Sequence, residues 1–271
     1  MNAVEARILL TGASGGIGRA AAAAFTAAGA RVLLAARNAE PLAALASQLR
    51  ARQGGEDVPW LMCDLREQRD IEHLARQAAE WRCNVVVHAA GAPAFGALAQ
   101  QDAAGIAAVI QTNLLAPIQL TRALLPHLRR QPRAQVICVG SVLGAIGLPG
   151  YSVYSASKFG LRGFAQALRR ELAETSVQVQ YLGPRSTRTA FNGADVQAYN
   201  AATRTASDPP AVVAAALLRM LEDGSAERFL GFPEKLGVRI NGALPTALDG
   251  SFRRHSRSLA ALPNLQERTH P

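Results

Sequence analysis

The chain has 271 residues, 49% of them apolar and 18% charged, enough to bury a sizeable core in one large domain. No stretch approaches the roughly 18 uninterrupted apolar residues of a membrane helix, and 5% aromatic residues with no aromatic and basic interleaving argue against nucleic-acid binding. The net charge of +9 comes from 29 basic residues, all arginine except Lys158 and Lys235, scattered along the whole length. That pattern excludes a basic tail and leaves a surface that attracts acidic small molecules or acidic proteins.

Short β-rich runs alternate with Ala/Leu/Arg-rich helical patterns. Strands are expected at Arg7 to Thr11, Arg31 to Ala36, Val58 to Cys63, Asn84 to His88, Gln135 to Gly140, Val177 to Leu182 and Arg228 to Leu230. Several, such as Val85-Val86-Val87, are apolar throughout, as strands covered on both faces of a parallel sheet must be. The expected fold class is therefore α/β, a single doubly wound domain of the Rossmann type with a parallel sheet of about seven strands. A polar connection from Arg185 to Ser207 precedes Ser207-Asp208-Pro209-Pro210, which reads as a capping residue with proline in the first helical turn. Cys63, Cys83 and Cys138 have no paired spacing and read as buried thiols in a reducing compartment. The first strand starts too near Met1 to leave room for a signal peptide, so a cytoplasmic protein is expected.

After the first strand, Thr11-Gly12-Ala13-Ser14-Gly15-Gly16-Ile17-Gly18 runs into the Ala-rich helix Arg19 to Ala28. Glycines there let the backbone approach a pyrophosphate, and the helix N-terminus offers free amides. Gly12, Ser14, Gly16, Ile17 and Gly18 are accordingly candidate dinucleotide contacts. At the end of the second strand, where a carboxylate would read a ribose 2′-hydroxyl, the chain has Ala35-Ala36-Arg37. A guanidinium suits a 2′-phosphate, so the expected cofactor is NADP(H).

Tyr154 and Lys158 lie four apart at the start of a helical pattern and share one face. An ammonium near a phenol is expected to lower the phenol pKa toward the working range of an acid or base. Ser141, just after an apolar strand, can offer its hydroxyl to a carbonyl oxygen.

With these residues in place the chain resembles the short-chain dehydrogenase/reductases of the non-extended type, over about residues 5 to 231. Thr11, Gly12, Gly16 and Gly18 meet that family's glycine pattern, Tyr154 and Lys158 its YxxxK, Ser141 its serine and Asn113 its asparagine. The resemblance implies that Tyr154 transfers the hydroxyl proton and Ser141 orients the substrate oxygen. It implies too that Lys158 holds the nicotinamide ribose and that Asn113 anchors a water linking Lys158 to solvent. It further implies cofactor contacts at Asp64, Leu65, Ala90, Gly91, Pro184, Thr187 and Thr189. The expected activity is NADP(H)-dependent interconversion of a ketone and a secondary alcohol, on an apolar or 3-oxoacyl-type substrate. The alternatives are an NAD-dependent alcohol dehydrogenase of hydroxysteroid or sugar type and a non-catalytic dinucleotide-binding regulator.

Two departures from the family pattern stand out. His88 replaces the first asparagine of Asn-Asn-Ala-Gly and is expected to be a buried, hydrogen-bonded histidine. Arg185 replaces the glycine of Pro-Gly, which suggests that Arg185 or Arg188 meets an anionic part of substrate or cofactor. The resemblance implies a homodimer or homotetramer formed through the helices Ala107 to Arg130 and Ser152 to Glu174. Arg129-Arg130 and Arg169-Arg170 near their ends suggest a site for an acidic acyl carrier protein.

The organisation expected is a dinucleotide-binding and catalytic domain over 1–232 and an amphipathic extension with a tail over 233–271. In the extension Leu236, Ile240, Leu244 and Leu248 recur every four residues, a stripe expected to pack on its own subunit or a neighbour and to be kinked at Pro245. A lid over a hydrophobic substrate and contact with a membrane surface are the other readings of this stripe. The last dozen residues are expected to be loose.

Overall fold

The strands are β1 (Arg7–Thr11), β2 (Arg31–Ala36), β3 (Trp60–Met62), β4 (Val85–His88), β5 (Ala134–Val139), β6 (Val177–Gly183) and β7 (Glu227–Phe229), the inner ones largely buried on both faces and the edge strands β3 and β7 not. These come from a computed structural model that describes residues 1–261 apart from 53, 54 and 56. The sheet order is β3-β2-β1-β4-β5-β6-β7, with every neighbouring pair parallel. The chain reverses its direction of travel across the sheet between β1 and β4. A crevice for ligands opens outside the carboxyl ends of the strands at such a switch point.

The helices are α1 (Gly16–Ala27), α2 (Ala39–Arg52), α3 (Gln68–Glu80), α4 (Ala103–Ile110), α5 (Ala116–Leu128), α6 (Ser152–Glu171), α7 (Ala194–Thr203), α8 (Pro210–Asp223), α9 (Glu234–Ala243) and α10 (Arg253–Ala260). On one face of the sheet Ala21, Ala22 and Phe25 of α1 pack with Val213, Leu217 and Leu221 of α8 against Ile8, Leu10 and Val87. On the other, Leu74 of α3, Leu120 and Leu124 of α5 and Leu161 and Ala165 of α6 cover Leu9, Val86 and Val136. Small residues on α1 let that helix approach closely, and burial at roughly 25 cal/mol per Å² of apolar surface makes both layers the main source of stability.

α4 and α5 are joined by a π-helical turn, Gln111–Leu115, into one continuous run. By length and composition Ala103–Leu128 could cross a bilayer, which the residue-by-residue reading above did not register. Here Val109, Asn113, Leu120, Leu124 and Leu128 are buried, so one face of the run packs in the core beside the sheet.

Several expectations are corrected. β3 is shorter than Val58 to Cys63 because it is an edge strand, with Trp60 and Met62 exposed. The connection Arg185 to Ser207 contains α7, which was not expected. α8 starts at Pro210 with Pro209 as its N-cap and no side-chain cap, because the Asp208 carboxylate is engaged by Arg185. In α9 the face docked on its own subunit is not the leucine stripe, which leaves packing on a neighbour as the form of that expectation still open: Val238 is buried and Asn241 Nδ2 donates to Ala145 O at 2.8 Å. Leu236, Ile240 and Leu244 are 50%, 37% and 64% exposed. The expectation for the last dozen residues falls almost wholly beyond Ala261 and so outside the described residues.

Candidate active site

The carboxyl ends of β1 to β6 build the crevice. At β1, Thr11 Oγ1 accepts from Ala89 N at 3.2 Å and Ala90 N at 3.4 Å, tying the glycine turn to the segment after β4. Gly12 has φ +66°, and a Cβ there would stand 2.6 Å from Ala90 N, so the turn needs glycine on two counts. α1 begins at Gly16 with Gly15 as N-cap and no side-chain cap, which leaves its first amides for an anion. Thr189 packs onto this turn, its Cγ2 lying against the place that a Cβ of Gly16 would take. The segment after β6 thus closes over the phosphate turn. Arg37 at the end of β2 is exposed, and among the described residues its guanidinium makes no hydrogen bond. Beyond β3, Asp64 is held by Arg66 through contacts of 2.6 to 3.1 Å, which keep its carboxyl below the usual range. Leu65 is buried beside it.

The second half of the crevice lies at β4, β5 and α6. Asn113, inside the π-turn and fully buried, donates through Nδ2 to Ala92 O at 3.0 Å and accepts through Oδ1 from Ala92 N at 2.7 Å. Its Nδ2 also reaches Ser157 Oγ at 3.1 Å, and that hydroxyl donates to Tyr154 O at 2.7 Å. Lys158 Nζ donates to Val139 O at 3.1 Å and sits 5.7 Å from the centre of the Tyr154 ring. A Cβ at Gly91 would project to 3.5 Å from Asn113 Oδ1 and 3.9 Å from Lys158 Nζ, so glycine keeps open a cradle beside the ammonium. Ser141 follows β5, and its hydroxyl interacts with the Tyr154 phenol. Asn113, Ser141, Tyr154 and Lys158 are thus gathered at one end of the sheet.

Burial governs the protonation of this group. It lowers the Lys158 ammonium to about 8 and raises the Tyr154 phenol above its ordinary value, with the Ser141 hydrogen bond drawing the phenol part of the way back. The expected depression of the phenol by Lys158 is therefore overturned for the chain by itself.

The model of the short chain dehydrogenase family matches residues 6–200. The chain belongs to that family. Bovine 3-oxoacyl-[acyl-carrier-protein] reductase is 36% identical over 175 residues, spanning 64% of this chain and 72% of its own. The ketoacyl reductase HetN of Nostoc is 29% identical over 255 residues, 91% of this chain and 88% of its own. Among solved structures, a short-chain dehydrogenase from Sphingobium yanoikuyae in complex with NADPH superposes with a TM-score of 0.79 at 27% identity, covering 92% of this chain and 96% of that one.

Within this short-chain dehydrogenase the two departures from pattern are structural. His88 is buried, its Nε2 2.8 Å from Thr121 Oγ1, and burial lowers it to about 4, so it is neutral at pH 7. Arg185 does not face the crevice as a free cation. Its Nη2 donates to Asp208 at 2.6 Å and its Nη1 lies 3.5 Å from Glu234, so it staples the segment after β6 to the starts of α8 and α9. Arg188 donates to Ser207 O at 2.6 Å. Pro184 O accepts from Val142 N, and Thr187 Oγ1 donates to Arg185 O, fixing the same segment.

Sequence reasoning missed Tyr181 and Ser157. The Tyr181 hydroxyl donates to Ser141 O at 2.8 Å and accepts from Ser141 N at 3.0 Å, clamping the serine backbone from the middle of β6. A tyrosine in a strand buried along most of its length was the available signal, since a buried phenol must find a partner. For Ser157, between Tyr154 and Lys158 on the same helix, spacing alone offered none.

Proposed function

We propose that this short-chain dehydrogenase uses NADPH to reduce a ketone on an apolar substrate to a secondary alcohol. The observation that carries the reading is the gathering of Ser141, Tyr154 and Lys158 beside the Gly91 cradle at the strand ends, around a phenol. Such a phenol is protonated at neutral pH, the form that delivers a proton to a carbonyl oxygen undergoing reduction. The Gly91 cradle, the uncapped α1 N-terminus and the exposed Arg37 fit a phosphorylated dinucleotide laid across β2, β1 and β4. When bound, the reduced nicotinamide supplies the hydride. Tyr154 gives its proton to the carbonyl oxygen while the Ser141 hydroxyl orients that oxygen. The Lys158 ammonium, in a site shielded from water, stabilises the phenolate left behind. Asn113, tied to Ala92 and Ser157, holds the first turn of α6 in register with β4.

The 3-oxoacyl and ketoacyl reductases among the relatives and the NADPH-bound neighbour support the ketone and the cofactor. The test is titration with NADPH and NADH by nicotinamide fluorescence. Arg37→Ala is expected to weaken NADPH binding by about 10- to 100-fold, since hydrogen bonds to a charged group contribute about 1.5–3 kcal/mol. NADH binding should change less than threefold. Equal loss for both cofactors, or tighter NADH binding by the wild type, would favour an NAD-dependent alcohol dehydrogenase.

A further inference from the structure

The family match ends at residue 200, yet α10 reaches back to the catalytic end of the molecule. Arg254 Nη2 donates to Ala202 O at 2.7 Å, a cation at the C-terminal carbonyls of α7. His255 packs its ring 5.8 Å from that of Tyr199 on α7. Leu259 meets the loop before α6: a Cβ added at Gly150 would lie 3.0 Å from Leu259 Cδ1 and 2.9 Å from Phe95 Cε2. From His255 an unbroken run of rings leads inward. Tyr199 lies 5.0 Å from Phe95 and 6.0 Å from Tyr151, and Tyr151 stands edge-on to Tyr154 at 6.3 Å. On the other side of Tyr154, Phe191 is 6.1 Å away, again edge-on.

The chemistry of this wall is uniform. None of its members carries a charge at pH 7: His255 is held below its ordinary pKa by burial and by Arg254, and its Nδ1 is buried with no partner among the described residues. The Tyr199 hydroxyl is already spent on Pro149 O at 3.0 Å. Tyr151 and Phe191, the rings flanking the reacting phenol, and Phe95 behind Tyr151 all keep part of their surface open. Rings disposed edge-on and 5 to 6 Å apart accept a further planar ring in the same manner, whereas a flexible chain would lose rotamer freedom to lie along them.

Building on the ketone-reductase reading, we propose that α10 is the outer brace of the substrate pocket and that the aromatic wall selects ketones bearing a planar apolar ring over straight 3-oxoacyl chains. His255 and Leu259 act as specificity-determining positions by holding Tyr199 and Phe95 against Tyr151.

The test compares reduction of an aryl alkyl ketone and of a linear 3-oxoacyl thioester by the full-length protein and by His255→Ala and Leu259→Ala, with NADPH as reductant. The wild type is expected to favour the aryl ketone at least tenfold in kcat/KM. Each variant should shrink that ratio at least fivefold through KM for the aryl ketone, with NADPH affinity held within twofold. Binding is read separately by titrating the aryl ketone into the NADPH complex of Tyr154→Phe and following nicotinamide fluorescence. A wild type that prefers the linear thioester, or variants that leave the ratio unchanged, would overturn the inference, as would failure of the aryl ketone to bind. Saturable, His255-dependent binding of the aryl ketone without turnover of any ketone by the wild type would support the wall and overturn the reductase reading instead.

Discussion

Tyr154→Phe is expected to lower kcat for ketone reduction by about 10² to 10⁴-fold, the range that a positioned proton donor contributes. The substitution removes one oxygen and keeps the ring, so the edge-on contacts with Tyr151 and Phe191 survive. Lys158 keeps its bond to Val139 O and Ser141 keeps its clamp from Tyr181. NADPH affinity should therefore stay within a few-fold and the melting temperature within a few degrees. Loss confined to kcat separates proton transfer from folding and from cofactor binding. A variant retaining more than a tenth of wild-type kcat would remove Tyr154 from the proton-transfer step.

Acidification supplies the second large effect, through His88. Folding holds its imidazole at about 4 against an ordinary 6.5, the cause being complete burial. Above pH 6.5 the folded and unfolded chains are both neutral at this position, and the histidine adds no pH dependence. Between 6.5 and 4 the unfolded chain takes up a proton that the folded chain refuses, so stability falls as pH falls. Integrated over that window the loss is on the order of 3 kcal/mol. His88→Asn keeps a polar partner for Thr121 and removes the titration. Denaturant unfolding of both proteins at pH 7 and pH 4.5 should give a smaller drop for the variant. Equal drops would mean that His88 is protonated in the folded chain.

The sheet was legible because burial on both faces leaves a plain signature: β1 and β2 have the bounds that the aliphatic runs suggested, and β4 to β6 differ only at their ends. Edge strands lack that signature, which is why β3 was overestimated. α7 was missed because Ala194–Thr203 lies within a polar connection and buries only Val196, Tyr199 and Thr203. The α9 stripe was only partly legible, for a different reason. Periodicity shows that a helix has an apolar face but not which face finds a partner, and here Val238 and Asn241 dock while the leucines do not.

In the site, Ser141, Tyr154 and Lys158 were readable because the chemistry needs those residue types near strand ends and on one helix face, whereas Asn113 was named only by the family resemblance. What could not be read was the environment. The sign of the Tyr154 shift depends on burial by segments far away in the chain. The Arg185 staple depends on Asp208 and Glu234, which sequence spacing does not link to it. The Tyr181 clamp spans 40 residues.

The three cysteines are buried, and burial pushes each thiol up to about 12. At neutral pH almost none of this sulfur is thiolate, the form that attacks alkylating agents and disulfides. Cys63 follows β3, Cys83 precedes β4 and Cys138 lies within β5, so together they sample both halves of the sheet. The native enzyme should thus be silent toward thiol reagents, and the rate at which each cysteine becomes labelled would report how often its part of the sheet comes apart. The fold carries three intrinsic clocks for its own opening, readable one at a time by mass spectrometry without any engineered label.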